Sequence, residues 1–437
     1  MDMTQLILGK RSLSLLLPVL GVVLVLFPHS ADAALGVASA TSFGVSTVNS
    51  GADNATDLQN ALNSGAAIIT LSGHSNFKIG PAVVTVPSGI SLQGVSGTKL
   101  TLAAGTNIAL YLRSNTMLRD IAFDCSVSGV PYKYTVPSGV VYVGSNGSNG
   151  VPVASTSDVT IANCTFQGSK NEAVHIVNTG SPMSNEPTVV EDCTFNSVFQ
   201  AVGTDASWNL RIYHNKVFNT ISAGIMFWGT YWPNSGAGSG CARTSGNINV
   251  EYNTVINAGG SVVNARGAAG IWCSGCQNVN FSSNTVDGAQ DGGLDMEWTS
   301  EGWMYHNTTS RTAYGGIAMF FSSEDIVIAD NHITNNVKST TNGAVNAGIY
   351  FADANTAAFA GDKGYKNVLV YNNTIVNTAK GAWSQRAIWA ASNTSANIQV
   401  FGNSISGDAP IYVNNPPVAV KGTGNFTLNG VAQAQNT

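Results

Sequence analysis

Charge is scarce in this chain. Only 10% of its 437 residues are Asp, Glu, Lys or Arg, and the net charge at pH 7 is −5. That balance excludes a nucleic-acid partner, which asks for a basic surface. Proline is sparse, 13 residues against 47 glycines, and Asn, Ser and Thr are plentiful, so turns are many and helices few. Cysteines number only six. Cys273 and Cys276 form a CxxC, but no second CxxC or histidine pair accompanies them, which argues against zinc. A disulfide from Cys241 to one of the two stays open for an exported protein. Long apolar runs are missing after the first one. Lys10 and Arg11 precede an apolar stretch from Leu13 to Phe27, and Ala31-Asp32-Ala33 has the small-x-small form of a cleavage site. The stretch is short for a membrane span. Residues 1–33 therefore read as a secretory signal and 34–437 as the mature domain. The expected location is secreted or periplasmic, with no membrane partner after cleavage.

What is present is a repeat. An apolar residue, two variable residues and then Asn or Cys recur as IANCTF at Cys164, VEDCTF at Cys193 and IYHNKV at Asn215. The series continues at Asn253, Asn284, Asn307, Asn331, Asn373 and Asn403, with a weaker early copy at Cys125. A second pattern alternates with it: AVHIV at Val174, GIMFW at Ile225, GIWCS at Ile271, GLDME at Leu294, GIAMF at Ile317, GIYFA at Ile349 and AIWAA at Ile388. From Ile271 the offsets run 13, 10, 13 and 10 residues, a coil of 23. Short β-rich coils that bury apolar residues against one another describe a parallel β-helix. Stacked Asn side chains then hydrogen-bond from coil to coil at a turn. Cys125, Cys164 and Cys193 take that position in early coils, as stacked buried thiols rather than ligands. A β-propeller would need blades about twice as long.

Near the N-terminus, DNATDLQNAL from Asp53 to Leu62 can form a short amphipathic helix, and VPSGISLQG follows at Val86. This succession, with the ladder behind it, resembles the entry into right-handed β-helix proteins of the pectate-lyase-like superfamily. The resemblance implies an all-β, right-handed, single-stranded parallel β-helix of about ten or more coils. The N-terminal helix would cover its open first coil and protect a sheet edge. The superfamily hosts lyases, hydrolases, epimerases and adhesins, so the resemblance fixes fold and not function.

Strand phase exposes a candidate site. Successive strand residues face opposite sides. If Leu294 and Met296 point inward, Asp295 and Glu297 point outward, toward solvent. The same rule turns Trp228, Trp272, Phe320, Tyr350 and Trp389 outward on neighbouring rungs. A strip of exposed aromatics marks a binding surface, and flat rings suit the apolar faces of sugars. Trp298 adjoins the pair. Insertions before Asn253, Ile271, Ile349 and Asn373 enter or leave this same sheet and are expected to wall it.

Two carboxyl groups are the minimum for glycoside hydrolysis: one protonates the leaving oxygen, the other attacks or activates water. Residues i and i+2 on a strand lie about 6.5–7 Å apart at Cα, compatible with retention or inversion. Glu297, beside Trp298, is assigned as the acid and Asp295 as the base. Asp291 and Asp205 read as a turn residue and a solvated strand residue. Some β-helix glycosidases, including iota-carrageenase-like enzymes, have a similar arrangement of acids. Polygalacturonase-like enzymes are disfavoured, because no GHG or RIK exists and Asn284-Thr285-Val286-Asp287 falls on the turn ladder. A polysaccharide lyase or uronate epimerase stays open; it would use an Arg or Lys base, with Ca²⁺ or cationic side chains neutralising a uronate. No Lys or Arg stands on the outward ladder, but Arg266 and Arg311 precede their rungs and could bind a substrate carboxylate or sulfate from the rim. The hydrolase needs no cofactor or metal. A non-catalytic carbohydrate-binding or structural protein is the third class. In each case the partner is a polysaccharide or oligosaccharide.

Overall fold

The computed structural model describes residues 36–131, 138–144, 156–177, 186–229, 245–259, 267–334, 347–352, 365–377, 386–390, 398–407, 426–428 and 431–433. Residues 1–33, expected to be a secretory signal, lie outside the described residues, as do Cys241, Arg266 and most residues of the four insertions. The described strands form three long sheets of 13, 14 and 11 strands. They are called sheets 1, 2 and 3 in the order the chain visits them within a coil. One coil runs Cys276–Ser282 in sheet 1, Thr285–Asp287 in sheet 2 and Leu294–Glu297 in sheet 3. The next repeats this as Ser300–Tyr305, Thr308–Ser310 and Gly315–Phe320. Each strand pairs in parallel with its counterpart one coil away. The parallel β-helix expected from the repeat is therefore present. Only the last described strand, Val431–Gln433, returns antiparallel, on Phe426–Leu428. Among the described residues no helix is long and apolar enough to cross a membrane.

Alternation builds the core. Ile225, Phe227, Ile271, Leu294, Met296, Ile317 and Met319 face inward and are fully buried. In sheet 2 the inward rings of Phe123, Phe166 and Phe195 stack at centroid spacings of 4.8 and 5.1 Å. These distances are the interstrand repeat itself, so identical residues on successive coils pack face to face.

The Asn ladder turns the corner between sheets 1 and 2. Asn284 Oδ1 accepts from the Asn253 backbone N–H and from Asn253 Nδ2, each at 3.0 Å. Asn284 Nδ2 donates to Val250 O at 2.8 Å and to Asn307 Oδ1 at 3.1 Å. The pattern runs on through Asn331, Asn373 and Asn403. At the other end the Cys193 N–H donates to Asn215 Oδ1 and the Cys164 N–H to the Cys193 sulfur. Cys164 and Cys193 hold the ladder position, but Cys125 is corrected: Ala122 pairs with Thr165, which sets Ile121 opposite Cys164. All three thiols are free and buried; burial pushes the Cys125 thiol up to about 12. The residue before each ladder position has a positive φ: His214, Tyr252, Ser283, His306, Asp330 and Asn372. Asn, Asp and His tolerate that region best, which accounts for their frequency there. Asn284→Ala removes a side chain that satisfies buried groups on both neighbouring coils. The expected destabilisation is about 2–4 kcal/mol in urea unfolding; a loss under about 1 kcal/mol would show the ladder to be ornamental.

The capping helix spans Gly51–Leu62, two residues longer at its start than the Asp53 boundary expected. Ser50 is the cap, because its Oγ accepts the Asp53 N–H at 3.2 Å and donates to Asp53 Oδ2 at 2.7 Å. Leu58, Ala61 and Leu62 close the first coil. Gln59 bonds both the N–H and the C=O of Thr85, on the edge strand Val84–Val86 of sheet 3. A bare sheet edge is thus satisfied by one side chain.

Cys273 and Cys276 are joined to each other across Ser274-Gly275. A pairing of either with Cys241 is corrected accordingly: consecutive coil positions flanking one tight turn bring these two thiols together.

Candidate functional site

Sheet 3 carries the acid pair as the phase rule requires. On its outer face Trp272, Asp295, Ala318, Tyr350 and Trp389 are in register on consecutive rungs. The parallel column beside it runs Trp228, Ser274, Glu297, Phe320. The rings make a continuous strip on both sides of the acids. Trp228 meets Trp272 edge-on at 5.4 Å, Phe320 meets Tyr350 edge-on at 5.7 Å, and Tyr350 stacks on Trp389 at 5.0 Å.

The expectation that the acids face open solvent is corrected. Asp295 is 3% and Glu297 9% exposed, although both point away from the solenoid interior. One cause is local. The turn Asp291-Gly292 folds over the strand so closely that a Cβ on Gly292 would lie 2.9 Å from Ala318 Cβ and 3.7 Å from Asp295 Cβ. Trp298 covers the other end at 6% exposure. Its φ is 43°, and that of Phe321 one coil on is 62°, where the preceding coil has Gly275 at 71°. Bulky residues there are strained by about 1–3 kcal/mol each. Their rings stack at 4.0 Å and 6°, which offsets roughly 1 kcal/mol of it. Strain retained beside a buried carboxylate points to a site rather than to a packing convenience.

Burial pushes both acids up. Asp295 rises well above the usual carboxylate range through desolvation, then through the charges of Glu297 and Asp291. Glu297 is raised to about 8, again first by desolvation. The two environments differ in donors. The Ser274 hydroxyl and the Trp272 indole N–H face Glu297 and stabilise its anion, though neither closes a hydrogen bond of normal geometry. Asp295 has no such donors, and its Oδ1 is buried without a hydrogen-bond partner. Two like charges this close cannot both ionise cheaply. Asp295 is therefore the less stabilised anion of the two, the reverse of the order expected from Trp298 alone. Asp291 is more than a turn residue. It accepts the N–H groups of Gly267 and Gly292 at 3.1 and 3.0 Å, and its charge raises both acids.

Other expectations fare differently. Arg311 is corrected: its Nε donates to Asp287 Oδ1 at 2.7 Å, and its second nitrogen pairs with Oδ2. That ion pair is exposed and holds the guanidinium on Asp287 of sheet 2, not over the aromatic strip. Asp205 is corrected too: it is 7% exposed, facing His175 Nε2 at 3.5 Å. His175 Nδ1 pairs with Glu172, and the Tyr142 ring stacks on the imidazole at 5.3 Å. Burial opposes the His175 charge, but the two carboxylates outweigh it and push the imidazole up to about 10. This cluster went unseen as a unit because Glu172 precedes its strand and only the register brings Asp205 diagonal to His175. Among the described residues no group of three or more His, Cys, Asp or Glu is arranged to hold a metal ion.

The sequence model of the right handed beta helix region matches residues 149–297 and 241–430, together more than half of the chain. The chain belongs to the right-handed β-helix family. No curated protein matches it in sequence. Several solved β-helix structures match in shape. The A-module of mannuronan C-5 epimerase AlgE6 of Azotobacter vinelandii has a TM-score of 0.51 at 15% identity, covering 91% of this chain and 100% of that one. A DFA-IIIase of Arthrobacter chlorophenolicus A6 has a TM-score of 0.57 at 13% identity, covering 89% and 99%. PfbA, a surface adhesin of Streptococcus pneumoniae, has a TM-score of 0.52 at 13% identity, covering 90% and 89%. At such identities the likeness shows the β-helix and nothing finer.

Proposed function

We propose that this β-helix protein is an exported carbohydrate-active enzyme that hydrolyses glycosidic bonds of a polysaccharide laid along sheet 3. The observation that carries the reading is the unequal pair: two buried carboxyl groups on one outward strand face, only one of them supplied with donors. Asp295, the harder of the two to ionise, acts as the acid and gives its proton to the leaving glycosidic oxygen as the carbon–oxygen bond breaks. Glu297, ionised, takes a proton from the attacking water or attacks the anomeric carbon itself. Trp228 and Trp272 hold sugars on one side of the cleavage point; Phe320, Tyr350 and Trp389 hold them on the other. A mannuronan epimerase among the fold neighbours is consistent with a polysaccharide substrate, while the adhesin marks the non-catalytic alternative.

A second reading, proton abstraction from a uronate by a lyase or epimerase, is favoured by the stacked Tyr142 and His175 on the same column as Asp295. It ranks below hydrolysis because the imidazolium is already neutralised by Glu172 and Asp205.

A panel of soluble polysaccharides separates the readings. The expected result is new reducing ends with no ultraviolet absorbance from unsaturated uronate. Absorbance growing with the ends would establish elimination, and inverted uronate centres in the proton NMR spectrum without new ends would establish epimerisation; none of these on any neutral or acidic polymer would leave only binding.

A further inference from the structure

Sheet 1 carries a second strip that the acid pair does not use. On its outer face Tyr213, Glu251, Ser282 and Tyr305 are in register on successive rungs. Beside them run Arg211, Asn249, Asn280 and Trp303. Their neighbours Ile212, Val250, Phe281 and Met304 are fully buried, which fixes the phase. The ends of the strip are aromatic. Tyr213 lies under the Arg211 guanidinium, 4.5 Å from its ring centroid, and Trp303 and Tyr305 stand half-buried three rungs away. The middle is polar. Asn280 Nδ2 reaches Glu251 Oε1 at 3.3 Å and Ser282 Oγ at 3.4 Å, and Ser282 donates to Glu251 at 3.2 Å. Asn280 Oδ1 is left without a partner.

We propose that this face is a second, non-catalytic carbohydrate-binding surface that takes one uncharged pyranose chain along the helix axis. The rungs rise by about 4.8 Å, comparable to one sugar of an extended chain. Tyr213 to Tyr305 spans roughly 14 Å, room for about three sugars. Ring faces meet the apolar faces of the outer sugars. Glu251 and the exposed Asn249 beside it meet the hydroxyls of the middle one, with Asn280 and Ser282 holding the Glu251 carboxylate in place. The Glu251 carboxylate at the centre disfavours an acidic chain by like-charge repulsion. Bound here, a long polymer is held to the enzyme while another segment occupies sheet 3. The proposal rests on the carbohydrate reading of the protein but not on the chemistry of its acids.

The test compares the full chain, a Trp303→Ala/Tyr305→Ala variant and Asp295→Asn. Retention is measured on insoluble β-1,4-glucan, β-1,4-xylan and β-1,3-glucan, with calcium alginate as the charged control. The native chain is expected to be retained on at least one uncharged polymer. The double variant should bind that polymer about tenfold or more weakly with unchanged thermal unfolding, while Asp295→Asn binds as the native chain does. Reducing ends released from short soluble fragments, which report on sheet 3 alone, should match the native rate in the double variant. No retention on any uncharged polymer, retention on alginate alone, or equal retention of the double variant overturns the proposal. A fall in molecular mass of the variant in sedimentation also overturns it, by making the strip a contact between copies of this chain. Absence of turnover with retention intact sinks only the hydrolytic reading, since retention is read without catalysis.

Discussion

Asp295→Asn is expected to lower turnover of the natural polysaccharide by about a thousandfold, within the usual contribution of a positioned general acid. Folding should survive. Desolvation holds Asp295 well above the usual carboxylate range, so the site disfavours its anion, and Asn replaces it at nearly the same volume. The measurement is kcat on the polymer with thermal unfolding alongside. A substrate with an acidic phenol as leaving group sharpens the result, because such a group departs without protonation. That substrate should recover most of the Asp295→Asn rate and little of the Glu297→Gln rate. The opposite rescue would return the acid to Glu297, the order suggested by its neighbour Trp298. Equal rates of both variants and the native enzyme would move the reaction elsewhere.

The fold was legible because a solenoid writes its geometry into period. Asn215, Asn253, Asn284 and Asn307 occupy one corner, and alternation around Leu294 and Met296 decides which residues see the interior. The facing of Asp295, Glu297, Trp228, Trp272, Phe320, Tyr350 and Trp389 follows from those two rules alone. Burial does not. Nothing periodic says that Gly292 lies on Ala318, or that Trp298 takes a backbone conformation usually left to Gly275's kind. The acid order depends on Ser274, which looks like any strand serine until the register sets it beside Glu297. Arg311 was misplaced for a related reason: distance along the chain to a rung does not say which sheet a long side chain lies on. The Glu172–His175–Asp205 cluster combines residues from two coils and a turn, and only pairing makes it one object.

Glu297→Gln should make the protein more stable at alkaline pH, the opposite of the usual cost of altering a buried group. The folded pKa, about 8, lies above the unfolded value near 4.3. A carboxyl raised in this way is more easily kept neutral in the folded chain. Its favourable contribution is complete below the unfolded pKa and is lost as pH rises through the folded one. Between about pH 5 and pH 8 the unfolded chain ionises this carboxyl while the folded chain must keep it protonated, and stability falls by a total of ~3–5 kcal/mol. Gln cannot ionise, so the variant escapes that loss. Near pH 4.5 the two proteins should unfold at similar temperatures or denaturant midpoints. At pH 9 the variant should be the more stable by several degrees, and turnover should be gone. The same titration sets the rising limb of kcat/KM for the native enzyme, which belongs well above pH 5 because Glu297 must be ionised to act. Parallel decline of both proteins with pH would place the cost of ionisation in other groups. A stability gained by discarding a buried charge, together with lost activity, is the signature of a carboxylate kept for chemistry rather than for the fold.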